Sequence, residues 1–172
     1  EREQQTISAD AKLDYRILEG LHINTFVSYV RDNYNDRYYR STKDWDQRLN
    51  SSYRGMAYAS KSNRMDYTKT LESTLNYTKN IGEKHSLTGL LGYSYQYYTV
   101  ETFNVNNNGF TTDGFLDWNL GAGGAIQNTA LPRPGMGSSK EDNTLVAFFG
   151  RVNYSFANKY FAQAIIRREG SS

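Results

Sequence analysis

Residues 85–101 read HSLTGLLGYSYQYYTVE. Leu87, Gly89, Leu91, Tyr93, Tyr95 and Tyr97 fall on every second position, and Ser86, Thr88, Gly92, Ser94 and Gln96 between them are small or polar. A period of two is the mark of a β-strand with one apolar face. That face is aliphatic at its start and rich in tyrosine at its end. The gradient suits a surface that leaves hydrocarbon and enters a wet interface, because a tyrosine ring is apolar and its hydroxyl is not.

The same period recurs along the chain. In residues 5–18, Ile7, Ala9, Ala11, Leu13, Tyr15 and Ile17 alternate with Thr6, Ser8, Asp10, Lys12, Asp14 and Arg16. Residues 21–32 alternate through Leu21, Ile23, Thr25, Val27 and Tyr29. Residues 64–79 do so through Met65, Tyr67, Leu71, Leu75 and Tyr77, with Lys69 interrupting the face. A fifth strand is expected over 143–156, with Val146, Phe148, Gly150, Val152 and Tyr154 on one side. A sixth starts at 160, its facing ambiguous around Ile165-Ile166. Short turns at Glu19-Gly20, Asn80–Lys84 and Ala157–Lys159 join these strands in pairs. Residues 33–63 and 104–142 lack alternation and are expected to be long loops, of a length that is usually functional. The pattern is three hairpins, with short turns on one side and long loops on the other. No stretch carries the period of an amphipathic helix.

Composition narrows the class. The 172 residues suffice for one domain. Hydrophobic content of 38% is low for a globular chain, yet 15 tyrosines are far too many for a disordered one. Strands with only one apolar face reconcile the two. A net charge of +2 gives no reason to expect a nucleic-acid partner. The absence of cysteine excludes disulfides, thiol catalysis and Cys-ligated zinc. No run approaches the roughly 20 apolar residues of a membrane helix.

Two architectures fit alternating strands. A soluble β-sandwich, such as a carbohydrate-binding module, would bury the apolar faces against each other. An antiparallel transmembrane β-barrel would turn them toward outer-membrane lipid, with short periplasmic turns, long extracellular loops, a polar lumen and aromatic girdles. The barrel explains more of the pattern, including the tyrosines and the charges at Lys12, Asp14 and Glu72 on the opposite face. Lys69 is its awkward member, since a mid-bilayer charge costs roughly 2–4 kcal/mol unless it reaches an interface. Six strands are too few to close a barrel, whose minimum is about eight. The ends, EREQQ and IIRREGSS, read as cut. The expectation is therefore an incomplete barrel that does not fold stably alone.

Specific segments carry a resemblance. LNYTKNIGEKHSLTGLLGYSYQ (75–96), TTDGFLDWNLGAG (111–123) and above all FFGRVNYSFANKYFAQAIIRREGSS (148–172) resemble the barrel of SusC/RagA-type TonB-dependent outer-membrane transporters of Bacteroidetes. Glu169 stands where that family typically has Asp. The resemblance covers most of residues 5–172. It implies that residues 1–172 are part of a receptor β-barrel domain of about 22 strands, with the plug domain and remaining strands elsewhere. It further implies import of large nutrients, glycan or peptide fragments, a SusD-like surface lipoprotein as cap, and energy from the TonB complex. A non-transport surface barrel or adhesin is the competing membrane reading.

The sequence holds no enzyme-like constellation. His22 and His85 read as polar residues near turns rather than a metal pair, and Asp44-Trp45-Asp46 lacks calcium-loop spacing. Gly121-Ala122-Gly123-Gly124 lacks the helix and Lys of a phosphate cradle. Asp14, Glu72 and Glu101 form no catalytic pair. No catalytic residue, metal or cofactor is expected. The Asn-X-Ser/Thr triplets at Asn50, Asn76 and Asn153 are chance matches if the cell is bacterial, as the resemblance implies. Trp45, Tyr53, Phe110, Phe115 and Trp118, in the expected loops, are the candidates for contact with substrate or lipoprotein, because aromatic faces concentrate in recognition surfaces.

Overall fold

A computed structural model describes residues 1–49 and 52–172. Asn50, head of one Asn-X-Ser triplet, lies outside the described residues. The chain is all-β, with strands β1 (Arg2–Leu18), β2 (Leu21–Arg40), β3 (Ala57–Ile81), β4 (His85–Phe110), β5 (Met136–Phe156) and β6 (Tyr160–Ser171). The one α-helix among the described residues, α1 (Trp45–Leu49), and three single 3₁₀ turns lie in the β2–β3 and β4–β5 connections. The strands form one antiparallel sheet in sequence order, with β1 and β6 as its edges. It is an unclosed sheet, the wall of an incomplete barrel. No second sheet faces it among the described residues. No described helix is long and apolar enough to cross a membrane.

The strands outrun the sequence period. Residues 33–40, 57–63, 104–110 and 136–142, expected as loop, are strand. β4 has 26 residues, where a tilted membrane crossing needs about 9–11. Alternation reports one apolar face, and it is lost where polar side chains occupy both faces, although backbone pairing continues and Ala57, Ala59, Asn107, Asn108 and Phe110 are buried there. Polar side chains take over across neighbouring strands there. Arg2 forks onto Asp36, Nε to Oδ1 at 2.7 Å and Nη2 to Oδ2 at 2.8 Å. The Asn63 amide donates to Asn33 and Asn35, both at 2.7 Å. Lys140 pairs with Glu101 at 2.8 Å, and the hydroxyls of Thr102 and Ser139 meet at 2.6 Å. Exposed pairs like these contribute only about 0–1 kcal/mol each. The ladder of backbone bonds, about 1 kcal/mol apiece, contributes more to holding these strands together.

The chain divides into two compact units. One comprises residues 1–6, 32–66 and 100–141, and the other residues 7–31, 67–99 and 142–172. Each strand except β6 contributes to both.

The second unit holds the alternating segments and the short turns. Its apolar set is uncovered: Leu91 is 65% exposed and Ile166 74%, with Ile7, Leu13, Val27, Phe148 and Val152 also exposed. Register settles the ambiguity at Ile165-Ile166. Gly150 opposes Ile166 and Val152 opposes Ala164, which puts Ile166 on the face of Phe148 and Val152, whereas Ile165 opposes Arg151 on the other. Tyr93 and Phe148 pack ring to ring at 5.0 Å. Thr25 and Ser73 are polar members of the apolar set, and their hydroxyls bond each other at 2.8 Å. On the opposite face the Phe149 ring fills the space over Gly92, where a Cβ would stand 2.1 Å from it. Arg167 lies over that ring at 5.6 Å.

The turns follow from local chemistry. Gly20 has φ +80° and Gly82 φ +64°, the left-handed region that glycine enters freely. Ala157 (φ 49°) and Asn158 (φ 54°) are two successive left-handed residues, the centre of a turn closed by the Lys159 amide donating to the Phe156 carbonyl at 3.0 Å. Asn tolerates this and Ala does not. Ala157→Gly is expected to stabilise the assembled protein by about 1 kcal/mol. A urea-unfolding midpoint that falls instead would contradict this turn geometry.

Candidate functional site

The first unit carries the loop surface, and two side-chain clamps build it. The first is the run Asn106-Asn107-Asn108 at the end of β4. Asn107 Nδ2 donates to the carbonyls of Leu120 (2.7 Å) and Gly123 (3.1 Å). Asn108 Nδ2 donates to the carbonyl of Pro132 at 2.7 Å. Asn106 Oδ1 accepts from the Gly135 amide at 3.0 Å. Three adjacent amides thus hold the 111–135 connection by its backbone. Gly109, with φ +84°, lets Leu131 and the Ala125 backbone approach where a Cβ would stand.

The second clamp is Asp113. Tyr39 donates its hydroxyl to Oδ1, Ser41 and Thr42 donate theirs to Oδ2 at 2.9 Å, and the Thr42 amide donates to Oδ1 at 2.9 Å. One carboxylate ties the start of the 41–56 connection to the start of the 111–135 connection. The Tyr39 hydroxyl, then the Thr42 amide, holds the Asp113 carboxyl well below the usual carboxylate range. Burial, reinforced by that carboxylate, pushes the Tyr39 hydroxyl up. A carboxyl lowered in the folded state contributes its stability above its unfolded value and loses it only as pH falls through the lowered one. Proteolytic protection of residues 111–135 is therefore expected to stay constant from pH 7 to about pH 4, the unfolded carboxylate value. Asp113→Asn should expose both connections to protease at neutral pH. Equal protection in wild type and variant would contradict the clamp.

The sequence candidates have different fates. Trp45 is 74% exposed on α1, and Phe115 is exposed beside the Asp113 clamp. Tyr53 meets Tyr58 edge-on at 6.3 Å, Tyr58 meets Tyr38 at 6.1 Å, and Arg40 lies over Tyr38. Phe110 is only 1% exposed and packs with Ala57, Ala59, Tyr39 and Leu120. Its ring lies beneath the surface, packed in the core rather than presented on the exposed face. The sequence could not distinguish it, since its neighbours in the core come from distant segments.

Trp118, 68% exposed, organises a cleft. Arg37 Cζ lies 5.4 Å from its ring and Lys61 Nζ 5.3 Å. Each cation has a carboxylate partner, Glu3 for Arg37 (3.4 Å) and Asp117 for Lys61 (3.6 Å). A cleft of about 400 Å³ opens beside Trp118, with the exposed Phe103 and the amides of Asn35 and Asn63 on its walls. It offers two aromatic surfaces, amide groups and charges of both signs. Such a set can stack on an apolar ligand face and hydrogen-bond its edges. It holds no nucleophile paired with a base. Phe103, Asn35 and Asn63 escape sequence reasoning, because strand residues in a polar stretch look like loop.

Neither histidine belongs to this surface. His85 Nδ1 lies 2.6 Å from the Tyr154 hydroxyl, and its ring packs at 4.9 Å from Phe156.

No family model matches the chain. Over all 172 residues it is 30% identical to TonB-dependent receptor P3 of Formosa agariphila, covering 100% of this chain and 16% of the relative. The resemblance is to TonB-dependent receptors. A second, TonB-dependent receptor P26 of the same organism, is 32% identical over 103 residues, 59% of this chain and 10% of the relative. The chain thus spans a minor part of each TonB-dependent receptor it matches. The RagAB peptide importer in its closed-closed state superposes with a TM-score of 0.76 at 22% identity, covering 99% of this chain and 18% of that one. The open-open state gives 0.75. At that identity the likeness is one of fold. The expected likeness to TonB-dependent receptors is borne out by sequence, and the RagAB importer shares the fold. These relatives are named as receptors or transporters and not as enzymes.

Proposed function

We propose that this chain is part of the barrel wall of a SusC/RagA-type outer-membrane transporter, whose plug and remaining strands belong to other parts of the full protein. The observation that carries the reading is the uncovered apolar face of the second unit. Leu13, Val27, Leu91, Phe148 and Ile166 stand exposed on alternating positions of paired strands. In water such a face is an aggregation hazard. In a bilayer it is the lipid-facing band, and the closed barrel satisfies the backbone at both sheet edges.

The transported nutrient is a glycan or peptide fragment, met at the loop surface by Trp118, Trp45 and Phe115, where the lipoprotein cap also sits. TonB-derived energy enters through the rest of the protein. The chain itself performs no chemistry. The test is deletion of the whole gene in the source bacterium, followed by growth on separate glycans and peptides. The expected result is loss of growth on one nutrient class, with the protein in the outer-membrane fraction of the parent strain. Undiminished growth on every nutrient would count against transport.

A further inference from the structure

Lys69 interrupts the apolar set of β3, and its surroundings suggest why. It is exposed, and its ammonium lies 5.8 Å from the ring of Tyr67 and 5.9 Å from that of Tyr97. Two ring faces steady the cation at the tyrosine-rich end of the apolar band. The neighbouring carboxylate, Asp142, accepts from the hydroxyls of Tyr97 (2.9 Å) and Thr99 (2.8 Å). The same face carries a groove of about 430 Å³ walled by Leu75, Leu91, Val152 and Ile166, with Gly89 and Gly150 as its floor. Nothing lies within 4 Å of where a Cβ on Gly89 would stand. A lipid-facing wall needs no groove, and a glycine such as Gly89, with open space where a side chain would pack, costs strand stability. The hollow is therefore a shape to be explained.

Cation and groove are matched in spacing. Leu75 follows Lys69 by six residues on β3 and Leu91 precedes Tyr97 by six on β4. Six residues of strand extend about 20 Å. At a tilt of about 40° that is a descent of about 15 Å along the bilayer normal. One leaflet of a hydrocarbon core of about 30 Å has that depth. We propose that this face binds a single phosphate-bearing acyl lipid of the outer leaflet, its phosphate on Lys69 between Tyr67 and Tyr97 and one acyl chain in the groove over Gly89 and Gly150. The site rests on the barrel reading above. The positive charge selects the headgroup and the glycine floor selects a chain.

The test uses the full protein that contains this segment, purified from the outer membrane into phosphatidylcholine nanodiscs doped with lipid A or with dephosphorylated lipid A. Native mass spectrometry counts the lipid retained on the ejected protein. Wild type should keep one lipid A. Lys69→Gln should lower retention of lipid A about fivefold, the effect of roughly one Lys–headgroup contact, and leave the dephosphorylated form unchanged. Gly89→Leu, whose Cβ would meet open space and whose side chain would enter the groove, should lower retention of both. Heat-modifiable migration shows that each variant is folded. Unchanged retention in either variant would overturn the proposal, and so would equal loss of both lipids in Lys69→Gln. Those results, in a protein found in the outer membrane, overturn the site alone. Absence from the outer membrane overturns the barrel reading together with it.

Discussion

Gly20→Val should prevent the first hairpin from joining β3. Gly20 has φ +80°, and a Cβ there would stand 2.2 Å from the carbonyl oxygen of Thr78. That oxygen is backbone and cannot rotate away. The Thr78 amide also donates to the Gly20 carbonyl at 2.8 Å, so relieving the clash breaks a ladder bond. The left-handed backbone alone costs an L-residue about 1–2 kcal/mol, and the lost bond adds about 1 kcal/mol. A total of about 2–3 kcal/mol, before the clash itself is counted, is a large part of the 5–15 kcal/mol that holds a typical fold. The expected result is a collapse of heat-modifiable protein in the outer-membrane fraction. Gly55→Ala is the control, since its φ is +72° but no atom lies within 4 Å of the added carbon. It should cost only about 1–2 kcal/mol. Equal assembly of Gly20→Val and wild type would contradict the close approach of β2 and β3.

Leu91→Arg is expected to destabilise by about 2–4 kcal/mol, the cost of a charge on the lipid face near mid-bilayer. Leu91 is 65% exposed, so no protein cavity is lost and no partner clashes. In water the same substitution would fall within about 0.5 kcal/mol, as surface changes do. The two solvents therefore predict different outcomes for one residue. Thr88→Arg, on the opposite face, is expected to stay within that smaller range. The comparison is read from urea unfolding of the full protein in phospholipid vesicles. A cost for Leu91→Arg no larger than that of Thr88→Arg would mean that the apolar face does not meet lipid.

The sequence exposes strands that have one apolar face and hides those whose faces are mixed. Leu87, Leu91, Val146, Phe148 and Val152 are legible as strand because one face must be apolar. Gly20 is legible as a turn because few residues accept its conformation. Residues 33–40 and 104–110 are strand as well, but polar residues on both faces remove the period that marks them, and Asn107, Asn108 and Phe110 are buried beneath the connections. Their pairing rests on backbone bonds and on contacts such as Arg2–Asp36, which composition alone assigns to loops. The Asn106–Asn108 run has the composition of a loop. In the structure it fastens the loop that follows, by bonds to Leu120, Gly123, Pro132 and Gly135. Trp118 is legible as a candidate from its residue type. Its neighbours Arg37, Lys61 and Phe103 are not, because three other strands bring them there. Phe110 shows the converse, a ring of the right type turned into the packing beneath the surface.

A spin-label scan of residues 87–97 tests the membrane placement most directly. These 172 residues hold no cysteine, so, with any cysteine elsewhere in the full protein replaced, single cysteines can be placed one at a time in this segment in vesicles. Collision with oxygen, which concentrates in hydrocarbon, is compared with collision with a water-soluble nickel chelate. Strict alternation is expected. Labels at 87, 89 and 91 meet oxygen, labels at 88, 92 and 96 meet nickel, and labels at 95 and 97 begin to meet both as the strand enters the interface. Nickel access at every position, or access that does not alternate, would contradict the claim that this face lies in lipid.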